Sequence, residues 1–285
     1  MTPKVSVIMP FVAESEYLAE AIESVRAQTL DEWELLLVDD GRVADTGAIA
    51  SSYVRSEPGR VRLLSSGPRA GAAAARNTGI VAARGEYLAF LDADDVFEPR
   101  KLEIEVTLLT NHPRAAMLYG PTRWWFPSRW WRNRTERLGV DLDRVHEPPR
   151  LLLDVIVRRC GDIPCTCGIL VRREVAVRLG GFEERFRLYE DQSLLAKVLL
   201  RHPAYVSSRA HARYRNHSAS TSARAMADGE YEPYRPHIAR REFLEWLGAH
   251  VAESGLEVPG LTREIAAESD RDVSRFIPRF RRLWR

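Results

Sequence analysis

Residues 87–95 read Tyr-Leu-Ala-Phe-Leu-Asp-Ala-Asp-Asp. A short apolar run that breaks into carboxylates is the pattern of a buried strand with an acidic carboxyl end. Residues 33–38, Trp-Glu-Leu-Leu-Leu-Val, show the same pattern and run into Asp39-Asp40-Gly41. Outward from these two, residues 5–9, 61–64 and 117–120 read as further strands. Helical spacing recurs over 17–28, 72–83 and 99–110, and more weakly over 46–55. Strands alternating with helices predict an α/β fold: a doubly wound, mostly parallel sheet flanked by helices. Such sheets bind ligands at the carboxyl ends of their strands, where both acidic clusters fall.

After residue 120 the pattern changes. Residues 123–134, RWWFPSRWWRNR, carry four Trp and four Arg with no clear period. Helix is expected over 148–159 and 194–200, strand over 168–171 and 204–206, and a mostly helical C-terminal extension from about residue 230. The chain divides at 1–120, 121–222 and 223–285.

Composition narrows the classes. The 285 residues are 45% hydrophobic and 29% charged, an ordinary globular balance. Lys plus Arg is 42 against 40 for Asp plus Glu, a net charge of +2 that gives no reason to expect nucleic acid. Cys160, Cys165 and Cys167 are too few and too close for a disulfide framework, and no second ligand pair makes a zinc site. They read as small buried side chains in a reducing compartment. No apolar run approaches the roughly 20 residues of a membrane span, and no targeting segment is evident, so a cytoplasmic location is expected.

Four clusters carry chemistry. If the strand at 87–91 continues to its end, its period of two puts Asp92 and Asp94 on one side, a hard-oxygen pair for Mg2+ or Mn2+ beside a phosphate. The alternative is a solvated acidic turn. Asp39 and Asp40 are either a turn or acceptors for a nucleoside hydroxyl or base N–H. Asp191, in Leu188-Tyr189-Glu190-Asp191-Gln192, is either a helix cap or a general base at the rim of a cleft. His217 follows Arg215 and is either a surface or core residue or a metal or diphosphate ligand. No G-x-G-x-x-G fingerprint follows the first strand, which counts against a nicotinamide cofactor.

Taken in order, these phrases resemble one family, the family 2 glycosyltransferases, inverting enzymes with the GT-A fold. VSVIMP (5–10), YLAEAIESVRAQTLDEWELLLVDDG (17–41) and AAARNTGIVAARGEYLAFLDADD (73–95) are similar to its N-terminal half. ILVRREVAVRLGGFEERFRLYED (169–191) and YRNHSAST (214–221) are similar to its second half. The resemblance covers roughly residues 4–221. It implies transfer of a sugar from a nucleotide-diphosphate sugar, UDP-linked by default with dTDP or GDP open, to an acceptor hydroxyl. Asp39 and Asp40 would contact the nucleoside, with Arg76 and Asn77 near the donor. Asp94 would bind the metal, Mn2+ or Mg2+, with Asp92 helping through ribose or water and His217 holding metal or diphosphate. Asp191 would be the catalytic base, with Glu190 tuning its charge.

The chain departs from the pattern at Phe11-Val12-Ala13-Glu14, where the family has a Thr-Tyr-Asn-like turn, and at Arg42, where it has Ser. Both border the nucleoside pocket. They keep a second reading open, an inactive nucleotide-sugar binding module. A sugar-1-phosphate nucleotidyltransferase would want a Gly-rich basic loop after the first strand. An aspartyl phosphatase would want its DxD there. Neither is present. Residues 123–134 are expected either at the acceptor site, since aromatic faces suit sugar rings and Arg suits anionic groups, or in the core or an oligomer contact. Residues 275–285, with five Arg among Phe276, Ile277, Phe280, Leu283 and Trp284, are either a weak peripheral membrane contact or a tail docked on the protein's own body. The resemblance implies a carbohydrate, lipid-linked or small-molecule acceptor.

Overall fold

Period-two burial decides the architecture. Along β1 (Val5–Phe11), Val5, Val7, Met9 and Phe11 enter one core cluster, while Ile8 enters another. The computed structural model describes residues 2–12, 16–40, 47–67, 70–232 and 237–270. β2 (Trp33–Asp39) alternates likewise, with Trp33, Leu35 and Leu37 on the first face and Leu36 and Val38 on the second. Both faces of the sheet are therefore covered. Each large apolar side chain so buried stabilises the fold by roughly 1.5–3 kcal/mol.

Helix α1 (Leu18–Arg26) links β1 to β2, and α2 (Ala48–Ser56) links β2 to β3 (Val61–Ser65). The Ala-rich α3 (Gly71–Ala82) leads into β4 (Tyr87–Phe90). Gly79 lets α3 lie close on β1: a Cβ there would stand 2.4 Å from the Ile8 Cγ2. β5 (Val96–Phe97), α4 (Lys101–Asn111) and β6 (Met117–Tyr119) follow.

The middle of the chain adds β7 (Arg123–Trp125), β8 (Arg134–Thr135), β9 (Arg144–His146) and a six-residue π-type turn at Leu152–Val157. Next come β10 (Ile169–Arg172), α5 (Arg173–Arg178), α6 (Glu190–Arg201), β11 (Ala204–Val206) and β12 (Ala212–Arg215). Three helices close the described chain: α7 (Thr221–Ala227), α8 (Ile238–Glu253) and α9 (Leu261–Asp270).

The eight-stranded sheet runs β3-β2-β1-β4-β10-β6-β11-β9. Its first four strands are parallel, as expected. β10 then enters antiparallel between β4 and β6, and β9 closes the far edge antiparallel to β11. The parallel pattern thus holds for the first half and becomes mixed in the second. A smaller sheet, β5-β12-β7-β8, stands beside it and carries the Trp-rich segment. Among the described residues no helix is long and apolar enough to cross a membrane. Of the cysteines only Cys167 is buried; Cys165 is half-buried and Cys160 exposed, so the expectation of three buried thiols is corrected. Residues 275–285, Ala13, Glu14 and Arg42 lie outside the described residues.

Candidate active site

Strand order reverses at β1, with β2 on one side and β4 on the other, and the acidic ends of β2 and β4 flank that switch. Asp39 is the last residue of β2 and buried; its carbonyl accepts from the Ser66 N–H at 3.0 Å and from the Ser66 hydroxyl at 3.1 Å. Asp40 is also buried, and its Oδ1 accepts from the Gly71 N–H at 2.5 Å. Gly71 has φ +86°, a conformation glycine adopts without strain, and it opens α3. The Asp40 carboxylate is therefore tied to the start of the helix that carries Arg76 and Asn77.

Arg76 is only 3% exposed and bridges two carboxylates: Nη2 to Asp92 Oδ1 at 2.6 Å and Nη1 to Glu190 Oε1 at 3.0 Å. Burial works against its charge, but Asp92 and Glu190 outweigh it and hold the guanidinium further into its charged range. Asn77 commits its amide to the turn before α6. It donates to the Phe182 carbonyl at 2.9 Å and to Glu184 at 2.8 Å, and it accepts from the Phe182 N–H at 2.8 Å.

The acidic run after β4 is organised differently from the alternation argument. The strand ends at Phe90, and residues 92–95 form a turn closed by the Asp95 N–H on the Asp92 carbonyl at 3.0 Å. A turn does not keep a period of two, so Asp92 and Asp94 find separate partners. Asp92 meets Arg76, whereas Asp94 Oδ2 lies 2.8 Å from His217 Nε2. Asp95 is buried and accepts from the Arg215 N–H at 2.9 Å; burial, with nearby Cys167, Asp94 and Asp92, raises its carboxyl well above the usual range. Arg215 holds the turn in place, donating to the Asp94 carbonyl at 2.7 Å and to Glu20 at 2.5 Å. Its guanidinium stacks on Trp125 at 4.1 Å and Tyr17 at 4.3 Å.

Among the described residues no three His, Cys, Asp or Glu side chains form a self-sufficient metal cage. One carboxylate and one imidazole meeting at the carboxyl end of a strand would nevertheless suit a divalent cation whose remaining ligands came from phosphate and water.

Asp191 lies in the first turn of α6, which starts at Glu190, four residues earlier than expected. It is not the cap; Tyr189 is, with φ +71° and no side-chain capping bond. Asp191 keeps part of its surface open to solvent, and its Oδ1 accepts from the adjacent Gln192 N–H at 2.7 Å. Burial and then the Glu190 carboxylate push its carboxyl up to about 7, against the opposing pull of the Gln192 N–H and Arg76.

The Trp-rich segment splits in two. Trp124 donates its indole N–H to Glu136 at 3.1 Å, and Trp125 lies under Arg215. Trp130 and Trp131 are 73% and 67% exposed and join neither core cluster. Sequence reasoning did not single out Glu136. It is buried beside the Thr122 N–H at 2.7 Å and the Cys165 thiol at 3.1 Å, and burial raises its carboxyl to about 7.

Residues 6–180, more than half of the 285-residue chain, match the family described as Glycosyl transferase family 2. The chain belongs to that family. A relative from Bacillus subtilis (strain 168), the putative teichuronic acid biosynthesis glycosyltransferase TuaG, is 27% identical over 261 residues, 90% of this chain and 97% of TuaG. Escherichia coli WfgD, a UDP-Glc:alpha-D-GlcNAc-diphosphoundecaprenol beta-1,3-glucosyltransferase, is 35% identical over 116 residues, 41% of this chain and 44% of WfgD. Glycosyltransferase GlyG of Streptococcus pneumoniae serotype 4 is 36% identical over 103 residues, 36% of this chain; the chain spans about a third (34%) of GlyG's length. Among solved structures, Staphylococcus aureus TarS 1-349 in complex with UDP-GlcNAc superposes with a TM-score of 0.66 at 17% identity, covering 93% of this chain and 71% of that one. The mannosyltransferase PcManGT of Pyrobaculum calidifontis, in complex with GDP-Man and Mn2+, gives 0.62 at 19% identity over 94% and 70%. At those identities the likeness is one of fold, and it is the family 2 glycosyltransferase, GT-A arrangement expected from the sequence.

Proposed function

We propose that this chain transfers a glycosyl group from a nucleotide-diphosphate sugar, UDP-linked by preference, to an acceptor hydroxyl in a single displacement with inversion. The observation that carries the reading is Asp191: a carboxylate open to solvent on one side, its acidity moved to about 7, joined through Glu190 and Arg76 to Asp92. A general base works best when its pKa lies near the working pH. In this reading Asp191 accepts the acceptor's proton as the oxygen attacks the anomeric carbon. One base and no enzyme nucleophile lead to inversion.

Asp39 and Asp40, at the end of β2, hydrogen-bond the nucleoside. Asp94 and His217 hold a divalent cation, Mn2+ or Mg2+, and Asp92 orients the ribose or a water. A bound cation supplies positive charge to the leaving diphosphate. Arg76 fixes Asp92 and Glu190 relative to one another, so that the donor end and the base end of the cleft keep one geometry. Asn77 acts from further away, fastening α3 to the turn before α6.

The segment 123–134 would supply the acceptor side of the cleft; its strand β7 pairs with β12, which ends two residues before His217. The name of WfgD, which specifies a diphosphoundecaprenol acceptor, supports a lipid-linked acceptor and a peripheral contact with the inner face of a membrane. Asp191→Asn tests the reading. Transfer should fall by about 10²-fold or more with UDP affinity within about twofold of wild type. Near-normal turnover in this variant would overturn it.

A further inference from the structure

Two residues before Asp191, at Tyr189, the backbone is unusual. Among the described residues only Asp143, Arg159 and Tyr189 are non-glycine residues with positive φ, at 54°, 52° and 71°. For a residue as bulky as tyrosine this conformation persists only where surrounding contacts enforce it. Two of the three enforce each other: Arg159 donates from Nη2 to the Tyr189 hydroxyl at 2.8 Å.

A second partner comes from the C-terminal extension. His237 is the N-cap of α8, and its Nδ1 accepts from the Arg240 N–H at 3.3 Å. Burial, with Arg159 and Arg240 nearby, lowers its pKa to about 4, so the ring is neutral. A neutral ring with Nδ1 accepting carries its proton on Nε2. That proton reaches the Tyr189 hydroxyl at 3.0 Å. One imidazole thus caps α8 with one nitrogen and grips the residue before α6 with the other. The Tyr189 ring is stacked on Phe243 of α8 at 5.3 Å, and Arg240 donates to the Ile156 and Val157 carbonyls at 2.8 and 3.1 Å. The Tyr189 carbonyl in turn accepts from the Ser193 N–H at 3.1 Å, fixing the first turn of α6, on which Asp191 stands.

We propose that Tyr189 is a positioning residue for Asp191, and that His237 of the C-terminal extension sets it. This rests on the reading of Asp191 as the base. The extension then contributes to turnover by aiming the base and touches no substrate.

The test uses the full chain with a UDP-sugar donor and four variants. Tyr189→Phe keeps the ring and loses the hydroxyl, His237→Ala loses both contacts, His237→Asn can cap and donate, and Asp191→Asn is the control. The expectation is a fall in kcat of about tenfold for Tyr189→Phe and His237→Ala, since a displacement near 1 Å can cost up to about 10²-fold. UDP affinity and donor KM stay within about twofold, and His237→Asn recovers most of kcat. A carboxyl 13C titration of Asp191 gives a readout independent of turnover, and its midpoint should leave the value near 7 in Tyr189→Phe. Wild-type kcat and an unmoved midpoint in Tyr189→Phe, with Asp191→Asn inactive, would overturn the positioning role and spare the base. Loss of thermal stability with unchanged kcat would overturn it too. Turnover retained in Asp191→Asn would overturn both.

Discussion

His217 Nε2 and Asp94 Oδ2 lie 2.8 Å apart across a sequence separation of 123 residues. The contact joins the turn after β4 to the segment after β12, and Arg215 braces both from behind. If this pair holds the cation that supports diphosphate binding, His217→Ala should lower UDP affinity at least about tenfold in the presence of Mn2+. In EDTA the variant and wild type should bind UDP equally weakly. Calorimetric titration in both conditions measures this, and equal Mn2+-supported affinity would remove His217 from the site.

Arg76 makes a different kind of prediction because it is buried between two carboxylates. Arg76→Met leaves Asp92 and Glu190 beside one another without their shared cation. Breaking a buried ion pair from one side costs about 3–5 kcal/mol, and the partial exposure of both carboxylates favours the lower end. Urea unfolding should show a clear drop in midpoint. An unchanged midpoint would mean that the carboxylates relax into solvent.

Glu136 predicts a pH dependence of stability. Its folded carboxyl keeps the proton up to about 7, whereas an unfolded glutamate releases it near roughly 4.3. Between those values the folded state binds more protons than the unfolded one. Its contribution to stability is therefore present at low pH and is lost as pH rises through about 7. Glu136→Gln removes that dependence, but its single carbonyl oxygen accepts from Thr122 or from Trp124 and no longer from both, so the variant starts from a lower melting temperature. The variant should gain in melting temperature relative to wild type between about pH 5 and about pH 8. A constant or shrinking difference would contradict the assignment.

The divided Trp segment predicts divided behaviour. Trp124→Ala loses the bond to Glu136, the stack under Arg134 at 4.2 Å and the contact with Tyr214 at 5.2 Å, so it should lower the melting temperature. Trp130→Ala removes an exposed ring and should leave the melting temperature alone while raising acceptor KM. Equal destabilisation by both would show the segment to be purely structural.

Much of the first half was legible because β1, β2 and β4 bury both faces and alternate with helices, which the apolar runs of the sequence display directly. The second sheet was not, because β5, β7, β8 and β12 are two to four residues long and β12 pairs with β5 and β7 at long range. Such strands leave no periodicity to read. The acidic motifs were visible as motifs, but the partner of each was not. Asp92 and Asp94 look equivalent in the sequence, and only the turn at 92–95 sends one to Arg76 and the other to His217. The sequence gives no signal for the start of α6, because Tyr189, in a left-handed conformation, is not among the usual capping residues. Glu136 carried no local signal, since its burial depends on Trp124 and Cys165 from other parts of the chain.

The stereochemistry of the released sugar tests the central claim most directly. Proton NMR of the first turnovers, with UDP-α-glucose or GDP-α-mannose, Mn2+ and either acceptor or water, reports the anomer before it equilibrates. A single base at Asp191 predicts the β product from an α donor, and no product from Asp191→Asn. An α product, or β product undiminished in Asp191→Asn, would contradict the account.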